Sequence, residues 1–94
     1  MGRIGMIRQR IVFHGWVQGV GFRYWARHAA SQYGATGWVR NDPGDTVTME
    51  IQGTREQIEQ VITALERGRF IQIDRMDVTA LPVIEEERSF RTVF

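Results

Sequence analysis

The stretch GWVQGVGFRYWARHAASQYG, residues 15–34, joins a glycine loop to an amphipathic segment, and the junction between them sets the fold. Gly15, Gly19 and Gly21 can take backbone angles closed to other residues, so the loop can curl its N–H groups toward one point and attract an anion. From there Phe22, Trp25, Ala26, Ala29, Ala30 and Tyr33 recur at helical spacing, which predicts a helix buried on one face and stopped by Gly34. The loop therefore opens into a helix N-terminus, which carries unpaired N–H donors and roughly half a positive charge. Arg23 in the first turn opposes that dipole until an anion arrives.

Working outward, a ragged start over residues 1–6 precedes a strand in which Ile7, Ile11 and Phe13 alternate with Arg8, Arg10, Val12 and His14. Beyond the helix, ATGWVRN at 35–41 reads as a strand with Gly37, Val39 and Asn41 on one face, closed by the turn Asp42-Pro43-Gly44-Asp45. TVTMEIQ at 46–52 alternates cleanly, which predicts Val47, Met49 and Ile51 inward, Thr48, Glu50 and Gln52 outward, and only one face buried. Thr54 and Gln57 form a capping-box signature for a second helix carrying Ile58, Val61, Ile62 and Leu65 and closed by Gly68. Between Ile73 and Met76 the apolar parity slips by one, so residues 70–74 read as a connection, with a strand from about Arg75 that puts Met76, Val78 and Ala80 inward. Pro82 ends it, Glu85, Glu86 and Glu87 form a solvated turn, and SFRTVF supplies a last strand with Phe90 and Phe94 on one face.

The order strand, helix, strand, strand, helix, strand, with a short extra C-terminal strand, predicts an α+β class: a ferredoxin-like sandwich with two helices on one face of a mostly antiparallel sheet. At 94 residues there is room for one domain, 1–94, with its core over about 8–94. There are no cysteines, hence no disulfide, thiol nucleophile or Cys-based zinc site. No apolar run approaches a signal segment or a membrane span, so a soluble cytoplasmic protein without a membrane partner is expected. All twelve basic residues are arginine, each a planar fork suited to carboxylate or phosphate.

The chemistry that is missing narrows the choice. A chain without lysine has no Walker A motif, and GVGFRY lacks the third glycine of a dinucleotide fingerprint. His14 and His28 stand too far apart to suggest a metal site, and Ser31 and Ser89 have no evident base beside them. What remains is the loop, Arg23, and the end of the second strand at Arg40 and Asn41. Each has a plain structural reading as well: a tight strand-to-helix turn, a surface charge at Arg40, and at Asn41 a turn-initiating residue whose amide bonds its own backbone. Trp25 belongs to the core stripe, which leaves Trp16 and Trp38 as candidate stacking platforms that partial burial explains equally well.

GWVQGVGFRYWA at 15–26 resembles the first signature of the acylphosphatases, and GWVRN at 37–41 resembles the second, which ends in an asparagine. The order of elements over about residues 8–94 and the terminal FRTVF are also similar to that family. The resemblance implies hydrolysis of the carboxyl-phosphate anhydride of a small acyl phosphate, releasing a carboxylate and inorganic phosphate. It also implies that Arg23 and Asn41 are the catalytic residues and that Trp16, Val17, Gln18, Gly19, Val20, Gly21 and Phe22 form the phosphate-binding loop. Neither a metal nor a cofactor is expected, and the protein is expected to act as a monomer without a nucleic-acid partner. Trp16 stands where the family commonly has a basic residue, and the Asp42-Pro43-Gly44-Asp45 turn permutes its usual Asp-Gly order, so substrate preference is where this chain should differ.

Two readings of other classes compete. An RNA-binding module can share the topology, but the near-neutral charge of +1 and the lack of an RNP1-like run argue against it. A noncatalytic phosphate or carboxylate sensor would keep the loop and arginine without turnover. Similar domains occur inside larger carbamoyl-transfer proteins, whereas 94 residues beginning with Met fit a free-standing enzyme.

Overall fold

The computed structural model describes residues 5–94; the expected ragged start lies mostly outside them, and Met6 already belongs to a strand. The elements are β1 (Met6–Trp16), α1 (Phe22–Tyr33), β2 (Thr36–Asn41), β3 (Val47–Thr54), α2 (Arg55–Glu66), β4 (Gln72–Leu81) and β5 (Phe90–Thr92). They form one sheet in the order β4-β1-β3-β2-β5, antiparallel at every pairing except the parallel β2–β5 edge. This is the ferredoxin-like sandwich that the element order implied.

Both helices lie on one face, where Ile11, Phe13, Val39, Val47, Met49 and Ile51 of the sheet meet Phe22, Ala26, Ala30, Ile58, Val61 and Leu65. Small residues on the inner side of α1 let it approach closely, and this displaces Trp25 from the expected core stripe. Trp25 is 47 % exposed and stands edge-on to Tyr24 and His28. The expected capping box of α2 is formed, with Gln57 N–H donating to Thr54 Oγ1 at 3.1 Å and Thr54 N–H donating to Gln57 Oε1 at 2.8 Å. Gly34 caps α1 in the left-handed conformation, also as expected.

Three expectations are corrected. First, β3 is buried on both faces: Thr48, Glu50 and Gln52 are shielded as well as their apolar neighbours. The polar face of a central strand reads as solvated only if nothing crosses it, and here residues 82–88 do. Ile84 N–H donates to Gln52 Oε1, Gln52 Nε2 donates to Ile84 C=O, both at 2.8 Å, and Glu87 accepts from Arg8 at 2.8 Å. Glu87 is thus an ion-pair partner of a buried arginine rather than part of a free acidic turn. Arg8, 2 % exposed, also donates to Glu50 at 3.0 Å, and Arg10 takes the other Glu50 oxygen at 2.8 Å. Burial pushes the Glu50 carboxyl up, but the hydrogen bonds from Arg10 and Arg8 outweigh it and hold the group below its usual range.

Second, the parity slip near residue 74 is a β-bulge inside β4, since Gly15 pairs with Ile73 and His14 with Arg75. Gly15 has φ 131°, and a Cβ there would lie 2.2 Å from Gln72 O, so the bulge and the glycine require each other. Met76 and Val78 do face the helix side, opposite Phe13 and Ile11, yet they and Ala80 are exposed because β4 is an edge strand. The helices cover the other strands instead, α1 over β2 and β5, α2 over β3, and Phe22 of α1 against Phe13 of β1.

Third, β5 is only three residues long, and Phe94 beyond it is 98 % exposed while Phe90 is buried. Among the described residues no helix is long and apolar enough to cross a membrane.

Candidate active site

The segment after β1 turns through Gly19 and Gly21, at φ 73° and 79°, and delivers the chain to α1 with Gly21 as its N-cap. A left-handed N-cap without a side chain leaves no hydroxyl or carboxylate to accept from the first turn, and that turn holds no acidic residue. The first helical hydrogen bond runs from Trp25 N–H to Gly21 C=O at 3.0 Å, so the N–H groups of Phe22, Arg23 and Tyr24 have no intrahelical acceptor. The start of α2 shows the contrast: there Thr54 caps the helix and Glu56 sits in the first turn. One helix is capped by its own side chains and the other is not.

That end of α1 opens on a cleft of about 390 Å³ lined by residues that include Val17, Gly19, Gly21, Phe22, Arg23 and Asn41. Six of the nine expected site residues therefore meet at one cavity. Trp16, Val20 and Gln18 do not line it. Trp16 is the last residue of β1 rather than part of the loop, and it is 74 % exposed. Val20 packs against the core.

Gln18 has a different task, since its Nε2 donates to the carbonyls of Asp42 and Thr46 at 2.8 and 2.7 Å and so ties the loop to the β2–β3 turn. Asp42 closes that turn: its N–H donates to Thr46 C=O, and its carboxylate accepts from Thr46 and Thr48 hydroxyls at 2.9 and 2.6 Å. Burial raises the Asp42 carboxyl, but the hydrogen bonds from Thr48, Thr46 and Arg40 bring it below its usual range. Arg40 reaches Asp42 at 3.2 Å and lies over the Trp38 ring, in keeping with a surface charge.

With Asp42 filling the turn role, Asn41 is released from it. Among the described residues no hydrogen bond is made by the Asn41 side chain, and the residue faces the cleft from the last position of β2. Arg23 is half-buried and likewise has no carboxylate partner; its guanidinium lies 4.8 Å from the centroid of the Phe94 ring. A free fork, a free amide and an open helix N-terminus can together hold a tetrahedral anion and a water molecule.

Tyr24, Arg27, Thr92 and Phe94 complete the lining and were not singled out from the sequence. Arg27 lies one helical turn beyond Arg23, a spacing that could have revealed it. Thr92 and Phe94 gave no such signal, because their place depends on β5 pairing in parallel with β2. A larger groove of about 550 Å³ runs between the outer faces of α1 and α2, with Glu56, Glu59 and Arg67 among its lining residues. Among the described residues there is no group of three or more His, Cys, Asp or Glu side chains able to hold a metal ion.

The fold and this cleft define an α+β sandwich with an uncapped helix start opening on a cleft. The acylphosphatase family profile matches residues 9–92. The chain is 37 % identical over 90 residues to an acylphosphatase of Geobacillus kaustophilus, an alignment covering 95 % of this chain and 96 % of that one. Among solved structures, an acylphosphatase from Bacillus subtilis superposes with a TM-score of 0.84 at 29 % identity, covering 94 % of this chain and 99 % of the other. Full-length HypF, in its phosphate- and nucleotide-bound form, contains a similar domain: TM-score 0.84 and 29 % identity, with 100 % of this chain matched to 13 % of that one. The chain belongs to the acylphosphatase family and is an enzyme of that class.

Proposed function

We propose that this cleft hydrolyses acyl phosphates by direct attack of water, with Arg23 and the N–H groups of the loop from Val17 to Phe22 binding the phosphoryl oxygens and Asn41 holding the water. One observation carries the reading: Arg23 and Asn41, whose side chains have no hydrogen-bond or ion-pair partner among the described residues, line one cleft at a helix start that no side chain caps. In the reaction the water oxygen bonds to phosphorus as the phosphorus–oxygen bond to the acyl group breaks. The electron pair leaves on the carboxylate, and the water hydrogens stay with the phosphate product or exchange into solvent.

The leaving carboxylate has a conjugate acid with a pKa of about 4, so it departs without protonation by a general acid. This accounts for a site with no histidine, lysine or paired carboxylate on its wall. The transition state spreads charge over the equatorial phosphoryl oxygens, where the fork of Arg23 and the fixed N–H groups act most strongly. Asn41 contributes orientation, since a neutral amide is a poor base. On this reading the enzyme needs no metal. The cysteine-free sequence is compatible with a reducing compartment, which supports a cytoplasmic location.

The test is hydrolysis of acetyl phosphate by purified protein in excess chelator, with a phosphate monoester alongside. Cleavage of the first but not the second, at a rate indifferent to chelator, is expected. Loss of activity on chelation and recovery with magnesium or zinc would overturn the metal-free mechanism. Stabilisation by phosphate with no turnover of any acyl phosphate would mark a sensor instead.

A further inference from the structure

Arg27 is exposed, lines the same cleft as Arg23, and among the described residues makes no hydrogen bond or ion pair. It also borders two adjoining hollows, one shared with Ser31, Thr36 and Arg88 and one with Tyr24 and His28. No aspartate or glutamate side chain lines the cleft or either hollow. The nearest acidic residue to Asn41 in sequence, Asp42, is already engaged by Thr46, Thr48 and Arg40. Two arginines thus line one cleft whose wall carries no acidic side chain, an arrangement that is unfavourable for the empty protein and favourable once anions fill it.

Four residues apart on α1, the two arginines are separated by one helical turn, about 6 Å along the axis. A single phosphoryl group needs only one fork. We infer that Arg27 is a specificity residue that binds a second anionic group on the acyl portion of the substrate, so that the cleft prefers acyl phosphates of short dicarboxylic acids over those with an uncharged acyl chain. This rests on the acyl phosphate reading above and extends it to the far end of the substrate. The phosphoryl group occupies the helix start and Arg23, the second carboxylate meets the fork of Arg27, and the spacing of one turn selects acyl chains of a few carbons.

The experiment has a binding arm and a turnover arm. Phosphonopropionate and propylphosphonate share a phosphonate, standing in for the phosphoryl group, and differ in the carboxylate. Calorimetry should give roughly tenfold or more tighter binding of phosphonopropionate to the unaltered protein, the scale of one charge-assisted hydrogen-bonded pair. Arg27→Gln should remove most of that preference. Arg27→Lys, which keeps the charge and loses the fork, should restore only part of it. Arg69→Gln removes the same charge away from the cleft and should leave the preference intact. In turnover, the ratio of kcat/KM for succinyl monophosphate, the mixed anhydride of succinic and phosphoric acids, over acetyl phosphate should fall in Arg27→Gln, chiefly through KM. Equal binding of the two phosphonates, or a preference that survives Arg27→Gln, overturns the inference while leaving hydrolysis of acetyl phosphate standing. Failure of both phosphonates to bind, together with no turnover of acetyl phosphate, removes the acyl phosphate reading and this inference with it.

Discussion

Gln18 is the residue of the glycine loop whose side chain hydrogen-bonds to the β2–β3 turn, and replacing it tests whether the two halves of the site are positioned together. Its amide spans the Asp42 and Thr46 carbonyls at 2.8 and 2.7 Å. Gln18→Ala removes two part-buried hydrogen bonds, each worth about 1 kcal/mol net, so folding should weaken by about 2 kcal/mol. In a domain of this size that lowers Tm by roughly 8–16 °C. The effect on catalysis has a different origin. Asn41 directly precedes Asp42, so a turn freed from the loop lets the amide drift relative to the loop and Arg23. A displacement of about 1 Å in a positioning group can cost about a hundredfold in rate.

Acyl phosphate hydrolysis and thermal unfolding with and without phosphate separate these effects. In the alanine variant kcat should fall strongly, Tm should drop, and saturating phosphate should still raise Tm, because the helix start and Arg23 are untouched. Gln18→Glu should be worse than alanine at neutral pH, since a carboxylate presents oxygen to two carbonyl oxygens and has nothing to donate. A variant that loses stability yet hydrolyses at the normal rate would refute the reasoning. The Asp42 network would then hold Asn41 without help from the loop.

Arg23→Lys keeps the charge but not the fork, and should lower kcat/KM by about a hundredfold or more and weaken phosphate binding in a titration. Asn41→Ala should lower kcat by a similar factor, while phosphate at about 100 times its dissociation constant still adds roughly 2.7 kcal/mol of stability; normal turnover once folded would return Asn41 to a turn residue. Glu50 is held below its usual value of 4.5 in the folded protein, so its contribution to stability is whole above that pH and is lost as pH falls through the lower folded value. Glu50→Gln should therefore destabilise the protein at neutral pH and flatten the acid side of its Tm profile; an unchanged acid limb would show that other carboxylates dominate it.

The parts of this protein that were legible in the sequence are those whose physics is local. A capping box, a glycine stop and the two helical stripes are satisfied within one turn or one face, so α1 and α2 stand where their spacing put them. The positions of Arg23 in the first turn of a helix and of Asn41 at a strand end were legible for the same reason, whereas the roles expected of them came from the resemblance of their motifs to a family. What failed was decided by pairing across long separations. Glu50 looked solvated because its partners Arg8 and Arg10 lie some forty positions away, and Glu87 looked free because Arg8 is 79 residues distant. The bulge in β4 appears only when Gly15 is laid opposite Ile73, and Phe94 joins the cleft only through the parallel register of β5.

These distant contacts bear on the site as well as on stability. β5 pairs with β2 over three residues, a short and parallel ladder that is weak by itself. It is fixed at both ends: Gly37 N–H donates to Ser89 C=O before it, and Val93 N–H donates to Val39 C=O after it. Upstream, the crossing segment is held by Gln52 at Ile84 and by Arg8 at Glu87, five and two residues before Ser89 respectively. Burial alone would lower the Arg8 pKa, but the Glu87 and Glu50 carboxylates raise it, so this anchor keeps its charge. Removing one partner of such a buried pair typically costs about 3–5 kcal/mol, more than a three-residue ladder can supply. The polar network on the far side of the sheet thus fixes the strand that carries Thr92 and Phe94 to the cleft, and Phe94 in turn lies against Arg23. Neither face of the sheet is mere scaffold: the apolar one builds the helix start that opens on the cleft, and the polar one places the wall opposite it.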